Sequence, residues 1–399
     1  MKTGRWATWI EGLGGWLWPP AERPDRYIPE TLSNTLKGIR ILDLTRMLAG
    51  PYATMLLADM GAEVIKIEEP EGDPIRAMGP PFEPDGFSAY FAAVNRNKKS
   101  VVLDLKQTDD RERFLDLAAT ADAVIDNFRF GVMQRLRLTP SDLREARADL
   151  VTCSLSAFGE DGPYRDLPAF DLVLQAMAGG MSITGEPGGR PMRAGIPIGD
   201  LAGGLFAALG VCAALLRRER TGQAEHLDLS LFDCQVSLLT YVGQYHLTDG
   251  RVPEPIGSGH QSVVPYQAFP TADGHLVVAV FVERFWPPLC RVLGLPELAG
   301  RYPSNASRVA ARAEVVAALE QRLRQRKTEE WSHLLRAAGV PSGPVNTVDR
   351  VFRDPQVLHR QMVVSDGRRQ LIGNPIKTAE PDTFIPAPAL GQHNSEILG

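Results

Sequence analysis

The feature that most constrains this chain is an alternation, beginning near Lys37, between short strand-like runs and segments with helical periodicity. Residues 39–45 read as a buried strand, 51–60 as a helix and 63–67 as a second strand. Strand character returns at 100–105, helical character at 109–120, and strands follow at 123–127 and 150–155. Strands of this kind, separated by helices rather than tight turns, pair in parallel while the helices cross over the sheet faces. The expected fold is α/β, an open parallel Rossmann-like sheet with helices on both faces.

The pattern changes near His260. Gly257-Ser258-Gly259-His260 is a flexible turn, residues 263–269 read as a strand, and Asp273-Gly274 marks a hairpin, so a smaller α+β domain is expected there. Its helices are expected at 307–326 and through Ala338, after which 341–344 returns the chain toward the first domain. The resulting division is an N-terminal extension over 1–36, a large domain over 37–235, a linker and small domain over 236–345, and a C-terminal return over 346–399. The extension carries Trp6, Trp9, Trp16 and Trp18, lacks the order of a signal peptide, and is expected to pack on its own body or on a partner.

Composition removes several function classes. Among 399 residues, 43 basic and 48 acidic side chains are dispersed with a net charge of -5, so no basic stripe offers a nucleic-acid surface. Cys153, Cys212, Cys234 and Cys290 show no paired spacing, which fits neither a zinc cage nor a disulfide framework and points to a reducing, cytoplasmic setting without a metal. The apolar stretch 201–216 falls short of the ~20 residues that span a bilayer and reads as a buried helix, so no membrane partner is expected.

Gly199-Asp200-Leu201-Ala202-Gly203-Gly204 opens that helix. From the residues alone two readings stand: Asp200 caps the helix, or its carboxylate is a nucleophile at the positive helix end, with Gly199, Gly203 and Gly204 letting substrate approach the backbone.

A resemblance separates the two. The run Leu42-Asp43-Leu44-Thr45-Arg46-Met47-Leu48-Ala49-Gly50-Pro51, followed by Asp59-Met60-Gly61-Ala62-Glu63-Val64-Ile65-Lys66-Ile67-Glu68, closely resembles the opening of the class III CoA-transferases, the group of formyl-CoA transferase and carnitine CoA-transferase. Asn95-Arg96-Asn97-Lys98-Lys99-Ser100, Asp126-Asn127-Phe128 and Leu390-Gly391-Gln392-His393 extend the match to the C-terminus. The resemblance implies that Asp200 is the covalent nucleophile and that Gly257, Ser258, Gly259 and His260 form a glycine loop shielding the intermediate. It carries over Met47, Leu103, Lys106, Asn127, Phe128 and Arg135 as residues that hold coenzyme A. It further implies an interlocked homodimer, acyl-CoA and carboxylic acids as substrates, and no permanently bound cofactor. One departure is Glu69, where relatives often have an arginine near the nucleotide; Arg76 or another base is expected to replace it.

Within this group, α-methylacyl-CoA racemases use a histidine where this chain has Phe170, which cannot move a proton. The adjoining Asp171 either orients substrate or caps its own helix. Residues 257–269 and 354–359 look most like the succinate-hydroxymethylglutarate CoA-transferase branch, which implies dicarboxylic acids. Leu48 stands where formyl-CoA transferase has a polar residue beside the oxalyl group, and Arg193, with His260 as second candidate, is the cation expected to meet a second carboxylate. Two readings of other classes are a nicotinamide oxidoreductase, opposed by the missing glycine fingerprint after the first strand, and a non-catalytic acyl-CoA-binding protein, which forms no adduct at Asp200.

Overall fold

A computed structural model describes residues 35–377 and 384–399. The tryptophan-rich leader therefore lies outside the described residues. Six strands form one parallel sheet: β1 (Arg40–Asp43), β2 (Glu63–Glu68), β3 (Lys98–Val102), β4 (Ala123–Asp126), β5 (Val151–Ser156) and β6 (His226–Ser230). Their spatial order is β3-β2-β1-β4-β5-β6. The central strands β1 and β4 are buried on both faces, which is why they read as continuous apolar runs. One apolar layer packs β1, β4 and β5 against the helices Ala49–Asp59 and Ile198–Thr221; the layer on the opposite face takes Phe114, Ala118, Met133 and Leu143. The parallel sheet expected from the sequence is the one observed.

The second unit is a three-stranded antiparallel sheet with its own core. β7 (Tyr266–Pro270) and β8 (His275–Ala279) form the expected hairpin, and β9 (Ser342–Pro344) adds to β8. Residues 341–344 thus still belong to this sheet, because their backbone completes the β8 ladder before the chain leaves. The helix expected at 307–326 is broken into Asn305–Ala310 and Arg312–Leu323. A capping box of Ser304 and Ser307 starts the first piece early, and Arg308, bonded to the Val264 carbonyl at 2.6 Å and to Glu283 at 2.7 Å, ties it to the base of β7. The C-terminal segment then returns to the large sheet. The Gly391 amide donates to the Ser100 hydroxyl at 3.0 Å, Ser100 donates to His393 at 3.1 Å and Val102 to Asn394 at 2.9 Å, covering the edge of β3.

The helix Ile198–Thr221 is longer than the apolar stretch in the sequence and only half buried. By length and composition it is long enough to cross a bilayer, yet one face is packed into the sheet core through Ala207, Val211 and Leu215. The other face leaves Leu205 53% and Leu209 65% exposed. The expectation of a buried helix holds for one face only, because the chain supplies packing partners for that side.

Candidate active site

The order of the large sheet fixes where a site can form. β1 and β4 are neighbours whose crossovers leave in opposite directions, and an open parallel sheet binds ligands outside the carboxyl ends of its strands at such a point. Residues that follow the strands meet there: Met47 and Leu48 after β1, Glu69 after β2, Leu103 after β3, Asn127 and Phe128 after β4. They wall two adjoining cavities of about 620 and 410 Å³. Met47, Asn127, Phe128, Arg129 and Val132 belong to both and form the partition.

Asp200 stands on the larger cavity, as the third residue of Ile198–Thr221. It is not the cap of that helix. The cap position is Pro197, which offers no side-chain acceptor, and the orphan amides of Gly199 and Asp200 donate instead to Asp171 Oδ1 at 2.8 and 3.3 Å. Gln175 holds the other Asp171 oxygen at 2.5 Å while its own carbonyl oxygen accepts the Ala194 amide at 2.9 Å. Asp171 therefore caps the neighbouring helix and fixes the segment that leads to Asp200. Among the described residues nothing donates a hydrogen bond to the Asp200 carboxylate, and it has no ion pair. Burial, reinforced by the charge of Asp171, pushes its carboxyl up to about 7. The site thus holds one fully engaged carboxylate and one that is free, desolvated and basic.

The glycines around Asp200 serve packing and not substrate approach. A Cβ on Gly199 would overlap Gln235 at 1.9 Å, one on Gly203 would meet Leu231 at 2.2 Å, and one on Gly204 would lie 2.7 Å from the Ala49 carbonyl. All three face protein, because the helix must approach its neighbours closely to bring Asp200 to the cavity.

The smaller cavity holds Leu103 and Lys106, whereas Arg135 lines the larger one. Asn127 touches both, but its amide is engaged: it accepts from the Arg46 amide at 2.8 Å and donates to the Arg46 carbonyl at 2.7 Å. Arg76 does not replace the base expected at Glu69. Its guanidinium grips Glu68 through two 2.7 Å bonds, donates to the Pro388 carbonyl and lies over the Phe91 ring. The bases beside Glu69 are Arg46, paired with it at 2.9 Å and lying over the Phe128 ring at 5.0 Å, and Lys106 at 3.5 Å.

Two expected groups are not brought to Asp200 within one chain. Arg193 is exposed and does not line either cavity. Gly257, Ser258, Gly259 and His260 sit at the entrance to the small sheet: Gly257 donates to the Gly185 carbonyl, Ser258 accepts from Ala268, and His260 stacks on Tyr241 at 5.5 Å. Residues that sequence reasoning did not find are Tyr90, Arg129 and Arg165, all on the larger cavity. Arg129 adjoins the Asp126-Asn127-Phe128 motif, a signal that could have found it, whereas Tyr90 and Arg165 are gathered by the folded chain. Among the described residues no cluster of His, Cys, Asp or Glu is placed to hold a metal ion.

Comparison with known proteins bears on the same residues. The family described as CoA-transferase family III matches positions 36–394. The chain is 39% identical to the succinyl-CoA:mesaconate CoA-transferase of Haloarcula marismortui over 91% of its length and 95% of that protein. It is 36% identical to the human succinyl-CoA:glutarate CoA-transferase, covering 97% of this chain and 89% of the relative. The crystal structure of a CAIB/BAIF family protein from Brucella suis superposes with a TM-score of 0.83 at 37% identity, covering 91% of this chain and 98% of that one. A Rossmann-like sheet with an unengaged aspartate at its carboxyl edge, and likeness over nearly the whole chain, place the protein among the CoA-transferases as a member of CoA-transferase family III.

Proposed function

We propose that the protein moves coenzyme A from succinyl-CoA to a second dicarboxylic acid through acyl intermediates on Asp200. The observation that carries this reading is the Asp200 carboxylate itself: on the cavity wall, without a donor among the described residues, and raised to about 7 by burial and Asp171. Relatives named for succinyl-CoA with mesaconate or glutarate support the substrate class.

In the first step an Asp200 oxygen attacks the thioester carbonyl, the C–S bond breaks, and a mixed anhydride and CoA thiolate result. The thiolate then attacks the Asp200 carbonyl of the anhydride, releasing the donor acid as its carboxylate and leaving an aspartyl-CoA thioester. The acceptor carboxylate runs the two steps in reverse, and Asp200 is regenerated. No net proton or electron is consumed. Asp171 acts by holding the helix end so that Asp200 faces the reacting carbonyl.

The smaller cavity suits the nucleotide, with Lys106 and Arg46 for phosphates, while Phe128 and Met47 guide the pantetheine arm toward Asp200. For the second carboxylate of the acceptor we assign Arg165, in place of Arg193. It lines only the Asp200 cavity, is held over the Phe130 ring at 4.6 Å, and its exposed pair with Asp166 at 3.4 Å is one an acceptor carboxylate can replace. Leu48 leaves the floor apolar, which suits a methylene chain better than oxalate. Phe170 at the same wall supplies no proton, against racemase chemistry. The exposed apolar face of Leu205, Leu209 and Leu216 supports a homodimer in which a second copy covers it, and four unpaired cysteines support a cytoplasmic setting. Incubation with succinyl-CoA followed by mass spectrometry should find a CoA or acyl adduct on Asp200; an adduct elsewhere, or none in an active enzyme, refutes the assignment.

A further inference from the structure

Met47 adopts a left-handed backbone, φ 67°, in the partition between the two cavities. Residues with a Cβ avoid this region, so the surrounding structure must hold the turn in place. Three bolts do so. The Asn127 amide engages both backbone groups of Arg46. Lys66 Nζ donates to the Thr45 carbonyl at 2.7 Å, and the Met47 amide donates to Asp73 Oδ1 at 3.3 Å. Lys66 and Asp73 are themselves paired at 3.0 Å and almost wholly buried.

Asp73 is fixed in turn. Its amide donates to Glu68 at 3.0 Å, its Oδ1 also accepts the Ile75 amide at 3.1 Å, and Glu68 is gripped by Arg76. A shift of this pair would therefore move the Met47 turn and, with it, the start of the helix Ala49–Asp59, on which the Asp200 helix rests at Gly204. Neither charged side chain lines either cavity, and the mechanism above does not use them.

We infer that Lys66 and Asp73 are positioning residues: their buried pair holds Met47 left-handed and thereby sets the wall that delivers the CoA thioester to Asp200. The inference rests on the reading that the two cavities together hold the thioester. Its test is a double-mutant cycle between the clamp and the turn, because glycine adopts positive φ without strain and needs no clamp.

Asp73→Asn should lower kcat/KM for succinyl-CoA by about tenfold or more, while the same change in a Met47→Gly background should cost about threefold or less. Kinetics are read well below the unfolding midpoint, on protein whose circular dichroism matches wild type. The neutral pair Lys66→Gln/Asp73→Asn leaves no unpaired buried charge and serves where the single variant does not fold. An unchanged kcat/KM with a lowered Tm, or an equal loss in both backgrounds, overturns the inference. Wild-type enzyme that transfers CoA normally while Asp200→Asn also remains active would instead overturn the reading of the cavities, whatever the clamp variants do.

Discussion

Beneath the turn after β1 lie three buried cation–carboxylate pairs, Lys98 with Asp43, Lys66 with Asp73 and Arg76 with Glu68. The interior of the small unit is built from Trp286, Phe269, Leu319, Leu323 and Leu335 around a single buried cation, Arg308. Both interiors are dense, but they respond differently to substitution. An apolar core gains from area removed from water and tolerates adjustment, whereas buried charges cost desolvation and hold only in one geometry. Asp43 illustrates the second case. It accepts from Thr45 twice, at 2.9 and 2.5 Å, from Thr54 at 2.7 Å and from Lys98 at 3.0 Å. Burial would push its carboxyl up, yet Lys98 and Lys66 outweigh it and the net direction is down; burial pulls Lys98 down to about 8. The ion pairs lie where the chain must present a fixed wall, and the plain core lies where it need only be compact.

The comparison breaks first at Asp200, a desolvated carboxylate on the cavity wall that nothing among the described residues pairs. Asp200→Asn should reduce transfer by about three orders of magnitude or more, since the proposed covalent step is lost, as a discontinuous assay of CoA exchange would show. Next come the two interiors. Lys98→Met strands Asp43 and should cost about 3–5 kcal/mol in urea unfolding, with a loss of kcat/KM because Asp43 holds Thr45. Leu335→Ala in the small unit should cost about 2–5 kcal/mol while kcat/KM, measured well below the midpoint, stays within about threefold. Equal kinetic losses would erase the distinction.

The pH dependence of Asp200 sharpens it further. Its folded-state pKa, about 7, lies above the ordinary 3.8, so the folded protein binds more protons in that window and loses stability as pH rises through it. Asp200→Asn should therefore be the more stable protein above pH 7, by as much as ~1.4 kcal/mol per unit of the shift, with the gap closing toward pH 4 in thermal unfolding. Activity moves the other way: kcat/KM should rise with pH and level off above about 7 as the carboxylate forms. The smallest effect expected is at Arg165. Arg165→Gln should raise KM for a dicarboxylate acceptor by about tenfold and leave a monocarboxylate unchanged; an equal rise for the CoA thioester would place Arg165 on a phosphate instead.

Periodicity and turn residues made most of the sheet legible: each strand expected from apolar runs appears within three residues, because burial on both faces demands a continuous apolar run, whereas the edge strand His226–Ser230, only partly buried, went unread. The family was also legible, through a resemblance that spans the chain. The surroundings of Asp200 were not. Asp171 read as orienting substrate or capping its own helix, yet it caps the helix of Asp200; that the Asn127 amide also clamps Arg46 had no signal in the sequence. Arg193 read as the cation ahead of the nucleophile, yet Arg165 reaches the cavity.

By itself, then, the sequence determined the α/β architecture and the residue near the start of the apolar helix, since these follow from local pattern and composition. Only the tertiary structure decided which carboxylate is engaged and which is free, and which arginine is tied down outside both cavities and which lines the cavity of Asp200. Partners such as Gly199 with Asp171, or Arg76 with Glu68 and Pro388, are set by through-space approach of up to hundreds of residues, and no spacing along the chain encodes that approach.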